Sequence, residues 1–340
     1  MNSFGNILLF SFNAIAPLLV LILLGLLLRK IGLLSDGFLK CGNKLVFYVL
    51  TPALLFCNIY SMESLSDLNW SAVLFSLVVV FVLFGIGWGL SFLTKDPKQK
   101  GVLMQCTFRS NNALIGLPLA ESLVGLQNLG AVSAISAFAI PEFNVLAVIA
   151  LSLFVGADGS RPTTREVLRK VLKNPLILGV AAGLGALALR AVLPLRTDGT
   201  AVFSLQRDLS FLYSAISQLA RSASPTALLL LGGGFRFSAI RGVRRQIAIG
   251  TVARLVIAPL IGVGSAVLLS EVLGLVHFDA QVYAALVALF ASPVAVNSAI
   301  MAEEMHNDSQ LAGQLVVWTS IFSIFTLFFL IAALRMLGLL

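Results

Sequence analysis

Ten apolar runs follow one another along the chain, at about 7 to 28, 38 to 60, 71 to 93, 101 to 125, 128 to 156, 175 to 193, 208 to 235, 246 to 270, 280 to 302 and 311 to 338, with short polar connectors between them. A helix needs about 20 residues to cross the hydrocarbon of a bilayer. The pattern therefore predicts an all-α polytopic membrane protein of ten transmembrane helices, with no room for a large soluble domain. The connectors alternate in charge: 29–44, 94–100, 157–174 and 236–245 hold 16 of the 23 Lys and Arg, whereas 61–70, 126–127 and 271–279 hold none. Positive charge stays on the cytoplasmic side, so the basic connectors are expected inside a cell (inner) membrane and both termini outside. Two places run against this phase: the outer connector 194–207 carries Arg196 and Arg207, and the inner connector 303–310 is acidic.

The polar positions inside the runs also repeat. Gly116-Leu117-Pro118 follows Asn111 and Asn112, Ser292-Pro293 precedes Asn297, and Thr51-Pro52 and Ser224-Pro225 lie 66 and 68 residues before Pro118 and Pro293. The basic stretch Arg161 to Lys170 follows the fifth run and divides the chain into a first five-helix unit, 1–156, a cytoplasmic connector, 157–174, and a second unit, 175–340. An odd number of spans per unit inverts the second copy. Paired interruptions at matching places in two inverted repeats point to the substrate site of a secondary transporter.

Composition agrees with the pattern. Hydrophobic residues make up 59% of the 340 and charged ones 11%, against about a quarter charged in soluble domains, and the mean hydropathy is +0.99. Arg29-Lys30 follows the first run, with no Lys or Arg before it. That order is the reverse of a cleaved signal peptide, so the run is expected to be a retained span. The net charge of +8 is parcelled into loops, which excludes the basic stripe of a nucleic-acid binder. Cys41, Cys57 and Cys106 have no CxxC spacing and read as free packing residues. With no GxxxxGK[ST], no HExxH and only His277 and His306, a built-in ATP-driven pump and a membrane hydrolase are both poorly supported, and no cofactor is expected.

The breaks concentrate the candidate chemistry. A proline inside a helix removes a backbone donor and frees the carbonyl four residues back, and such groups persist at membrane depth only where protein, water or a ligand satisfies them. Around Pro118 stand Arg109, Asn111, Asn112 and Gly116; around Pro293 stand Asn297 and Ser298. The amides are read about two turns before the break in the fourth span and one turn after it in the ninth. Exposed half-helix N–H groups and Asn side chains at bilayer depth could hold an anion's oxygens; the alternative is that Asn bridges neighbouring helices. Arg109, read one turn inside the cytoplasmic end of the fourth span, either pairs with a substrate carboxylate or snorkels to the interface. Glu142 lies near the middle of the fifth span, where a bare carboxylate is expensive. It is either a proton-carrying or cation-coupling acid or the partner of Arg254 or Arg221. Gly85, Gly87 and Gly89 and the run Gly232-Gly233-Gly234 are expected to permit close helix packing.

The string Arg109-Ser110-Asn111-Asn112-Ala113-Leu114-Ile115-Gly116-Leu117-Pro118 resembles the R-x-N-x-x-x-x-G-L-P signature of the auxin efflux carrier family, whose bacterial members include malonate-type transporters. The stretches from Leu45 to Phe56 and from Lys173 to Ile177, then Ser292-Pro293 with Asn307-Asp308 and Ala312, resemble further motifs of that family in the same order. The resemblance implies two inverted five-helix repeats whose fourth and ninth helices cross at Pro118 and Pro293, with Asn112 or Asn111 as the crossover asparagine. It implies a mobile unit moving against a scaffold of the first, second, sixth and seventh helices, and a homodimer as in plant members. The expected function is secondary transport of a small organic anion, a carboxylate such as malonate or an auxin-like acid, with proton coupling, sodium coupling and uniport all open. The rival readings are an anion channel and a membrane sensor that binds the anion without moving it.

Overall fold

The structure, a computed structural model, describes residues 4–61, 69–125, 128–155, 163–192, 202–236 and 240–340. The expectations for the connectors at 62–68, 126–127, 156–162 and 193–201, Arg196 among them, lie outside the described residues.

Helix α1 (Phe4–Lys30) is followed by α2 (Asp36–Leu45), which passes through one wider π-type turn, Val46–Leu50, into α3 (Thr51–Tyr60). Pro52 cannot donate to the preceding turn, and the wider turn before it absorbs that defect. Next come α4 (Trp70–Ser91), α5 (Pro97–Phe108), α6 (Leu117–Val124) entered through a π-type turn at Asn112–Gly116, and α7 (Gly130–Ser152). The expected connector then contains a helix, α8 (Thr164–Leu172), with α9 (Pro175–Val192) bent from it by 56°. The Thr163 hydroxyl accepts from the Glu166 N–H while the Glu166 carboxylate accepts from the Thr163 N–H, the reciprocal cap that starts α8. Exposed Leu168 and Leu172 beside Arg165, Arg169 and Lys173 give α8 the two-faced surface of a helix lying at a membrane interface.

The remainder comprises α10 (Leu205–Asp208), α11 (Ser210–Gly234), α12 (Ile240–Val252) continuing through several π-type turns and α13 (Ser265–Val267) to Val272, then α14 (Ala280–Ala291), α15 (Asn297–Glu304) and α16 (Ser309–Met336). Among the described residues five helices are long and apolar enough to cross a membrane as they stand: Asp36–Tyr60, Trp70–Ser91, Gly130–Ser152, Gly242–Val272 and Ser309–Met336. The bent pair α8 and α9 makes a sixth candidate. The chain is an all-α membrane protein, and its exposed Leu, Val and Phe side chains are those that meet lipid. The apolar runs at 101–125 and 280–302 are not continuous helices; each is a pair of half-helices.

Two groups of helices pack most closely. One joins α1 with α11 and α3 with α9 and α11; the other joins α4, α5 and α7 with α14, and α12 with α16, and α16 also packs closely on α1, which ties the two together. Backbones meet directly in the first group: a Cβ on Gly25 would strike the Leu229 carbonyl oxygen, and one on Gly232 the Ile22 carbonyl oxygen. Of the other glycines expected to pack, Gly87 lies against Met104 and Gly233 against Leu34 and Leu39, whereas Gly85, Gly89 and Gly234 face open space. Their lack of a side chain serves no contact. Cys106 is buried and its Sγ lies 3.4 Å from the Gly250 carbonyl, but Cys41 is exposed and packs nothing.

Candidate functional site

The two half-helix pairs cross in an antiparallel bridge between Ser110 and Val294. The Asn111 N–H donates to the Pro293 carbonyl (2.8 Å) and the Ala295 N–H to the Arg109 carbonyl (3.3 Å). Residues that leave a helix at membrane depth expose main-chain groups that water cannot reach, and here each broken segment satisfies the other. The break in the first pair therefore lies at Arg109 to Asn111, not at Pro118. Pro118 sits inside the half-helix Asn112–Val124, where the wider π-type turn Asn112–Gly116 before it absorbs the missing N–H. Pro293 does lie within its break, and its carbonyl is part of the bridge.

Arg254 holds the crossing from one side. It is 0% exposed, and all five of its N–H groups meet carbonyls: Nε on Ser292 (2.8 Å), Nη1 on Thr107 (3.3 Å) and Phe108 (3.0 Å), Nη2 on Leu289 (2.9 Å) and Phe290 (3.1 Å). Those carbonyls end α5 and α14. Each helix C-terminus carries roughly half a negative charge, so one guanidinium balances two helix ends without a carboxylate. The sequence showed a lone arginine in an apolar run, and Glu142 was one proposed partner; among the described residues Glu142 pairs with neither Arg254 nor Arg221.

The crossing also borders a cavity of about 60 Å³ that Arg254 does not line. The first turns after the breaks reach it through Asn111, Ala113, Val296 and Asn297, so the positive ends of two half-helices face it. Arg109 lines it and is 3% exposed, so it does not snorkel. It lies twelve residues beyond the start of α5, about 18 Å along the helix at 1.5 Å per residue. That depth, not the interface, is where the chain places it. Its Nη2 donates to Asn144 Oδ1 (2.9 Å) and its Nη1 to Ser298 Oγ (3.3 Å). Asn144 is oriented in turn by donating to the Ile140 carbonyl at 2.7 Å.

The sequence-selected residues thus separate. Arg109, Asn111 and Asn297 line the cavity, and Ser298 touches it only through Arg109. Asn112 turns away and donates to Ser136 Oγ (2.7 Å). Gly116 packs α6 against α14, since a Cβ there would lie 2.7 Å from the Ala288 carbonyl oxygen. The Nδ2 of Asn111 and the Oδ1 of Asn297 are buried without a partner, and Asn297 Nδ2 reaches Thr51 Oγ1 at 3.4 Å. Sequence reasoning missed Thr51, Asn58, Asn144 and Ser224 as cavity residues. A signal for two of them was present, because Thr51 and Ser224 each precede a proline of the repeated pattern. Both oxygens of Glu142 are buried without a hydrogen bond, and Glu142 does not line the cavity.

Comparison with known proteins points in one direction. A family model described as membrane transport protein matches residues 10–159 and 159–331. The chain is 23% identical over 320 residues to an uncharacterized transporter of Methanocaldococcus jannaschii, covering 92% of this chain and 95% of that protein. It is 24% identical over 326 residues to an uncharacterized transporter of Methanothermobacter thermautotrophicus, covering 93% and 96%.

Proposed function

The chain belongs to the family of membrane transport proteins, the auxin efflux carrier family, and is a transporter rather than an enzyme; from that premise we propose that it carries a small organic anion across the membrane by alternating access at the crossing of its broken fourth and ninth spans. The substrate class is a carboxylate, such as malonate or an auxin-like acid. One observation carries this reading: Arg109, buried at the cavity wall, has no carboxylate partner among the described residues. A buried cation without a counter-ion is costly, and an incoming carboxylate supplies one. The unpartnered Asn111 Nδ2 offers a further donor beside it. A cavity of about 60 Å³ has room for a carboxylate head, since about 10–15 Å³ of such space already admits a water. The body of the acid enters when the mobile group swings from the scaffold.

Thr51 and Ser224 support the reading of ten spans in two inverted repeats. They hold matching places in the two halves and face one cavity from the scaffold group α1, α3, α9 and α11. The test is a thermal-shift screen of carboxylates on the purified protein, because a ligand that binds the folded state raises its melting temperature. A carboxylate that stabilises the wild type should lose its effect in Asn111→Ala. Full retention in that variant would move the site elsewhere.

The geometry also favours one coupling mode. Seven of the carbonyls freed at the breaks are already taken, five by Arg254 and two by the bridge, which leaves fewer of them for a sodium ion. Glu142, unpaired with both oxygens buried, is neutral in this conformation on our reading, because a bare carboxylate there would lose its hydration without compensation. If the carrier moves only with Glu142 protonated, flux rises as pH falls. Glu142→Gln mimics the protonated form and should hold flux at the acidic plateau across the pH range, in proteoliposomes where choline replaces sodium without effect. A wild-type pH profile in Glu142→Gln removes the proton role.

A further inference from the structure

Away from the crossing, an apolar groove of about 530 Å³ runs between α12 and α16. Its wall on α12 and the turn that follows is two adjacent ridges, Arg244, Ala248, Val252 and Val256 beside Ile247, Thr251 and Leu255, and its α16 wall carries Trp318 stacked on Phe322 with ring centroids 5.8 Å apart. The longer ridge is about 18 Å long at 1.5 Å per residue. Val252, Val256 and Phe322 are 50%, 52% and 45% exposed, so the groove opens to the outside of the helix bundle.

Its two ends differ in charge. Arg244 stands near one end, one turn from Ile240; Arg245 adjoins it, and the Arg236 carbonyl accepts from Gln314 one turn before Trp318. All three arginines are exposed, and among the described residues none has a carboxylate within ion-pair distance. Beyond Arg244 the wall is almost wholly apolar, with Thr251 and Thr326 its other polar residues. An occupant that fits has a hydrocarbon chain along the groove and a negative group at one end. Basic pockets between transmembrane helices recognise acidic phospholipid heads in this way.

We propose that the α12–α16 groove is a binding site for one anionic phospholipid, its acyl chain lying between the α12 ridges and Trp318 and its phosphate on Arg244. The site is independent of the carboxylate cavity, so it stands or falls apart from the transport mechanism. Trp318 makes it measurable. The chain holds three tryptophans, and Trp70 and Trp88 are both exposed. In a Trp70→Phe, Trp88→Phe background purified in detergent, Trp318 fluorescence is titrated with phosphatidylglycerol brominated on its acyl chains and, in parallel, with brominated phosphatidylcholine. Phosphatidylglycerol is expected to quench at about fivefold lower concentration, the weight of one arginine at a charged lipid surface. Arg244→Gln should abolish that preference while leaving weak quenching by both lipids. Ala248→Phe, which fills the groove, should reduce quenching by both. The circular dichroism and melting temperature of each variant confirm that it is folded. Equal quenching of the parent by the two lipids overturns the proposal, as does a phosphatidylglycerol preference that survives Arg244→Gln. Absence of quenching by either lipid in protein that runs as a dimer assigns the groove to a second copy, and overturns it too.

Discussion

Arg254→Met is expected to leave almost no folded protein after extraction in detergent. Methionine fills much the same volume but donates nothing, so five carbonyls at the ends of α5 and α14 lose their partner where no water reaches them. A hydrogen bond to a charged group contributes about 1.5–3 kcal/mol. Even with strong non-additivity, five of them are comparable with the about 5–15 kcal/mol that hold a typical domain together. Arg254→Lys should fall between, because an ammonium has three donors on a point charge and cannot fork to both helix ends. The measurement is the monodisperse fraction on size exclusion, followed by the melting temperature of whatever survives. A wild-type melting temperature in Arg254→Met would show that the crossing does not depend on this clasp.

The second large effect is expected to leave the fold intact. In Arg109→Gln the main-chain bridge at the crossing is untouched, and the shorter amide can still donate to a neighbour. The lost charge, however, is the one expected to meet the carboxylate. Truncating one member of a buried, hydrogen-bonded charge pair costs about 2–5 kcal/mol, so affinity for the carboxylate should fall by roughly two orders of magnitude or more. Calorimetric titration of the purified variant and uptake into proteoliposomes both read this, with an unchanged melting temperature as the control. Carboxylate affinity within a factor of two of wild type would take Arg109 out of the site.

Much of this architecture is legible from the chain because lipid imposes strict rules on it. Apolar runs, basic loops and the repeated Asn and Pro positions led to the helical class and to the two broken segments. The location of the first break was not legible. Pro118 draws attention as a breaker, yet the half-helix Asn112–Val124 runs through it by way of a π-type turn, and the true interruption at Arg109 to Asn111 contains no proline. It exists because another strand of backbone, 184 positions away, pairs with Ser110; nothing local encodes that. The depth of Arg109 was misread because α5 starts at Pro97, ahead of the apolar run at 101. Arg254 and Glu142 were visible as charges in apolar runs, and pairing the opposite signs was the natural guess. The partners of Arg254 are main-chain carbonyls, which every residue possesses and no sequence pattern marks. Asn111 and Asn112 are adjacent and chemically identical, and only the turn of the helix sends one to the cavity and the other to Ser136.

The short bridge at Ser110 and Val294 has a mechanical implication. Two main-chain hydrogen bonds fasten the interrupted segments to each other, and a buried cation rivets both. Neither segment can slide without dragging its counterpart. A load applied at Asn111 is thus felt at Asn297, and under the proposed alternating access the two segments would travel together as one body rather than open in turn as two doors.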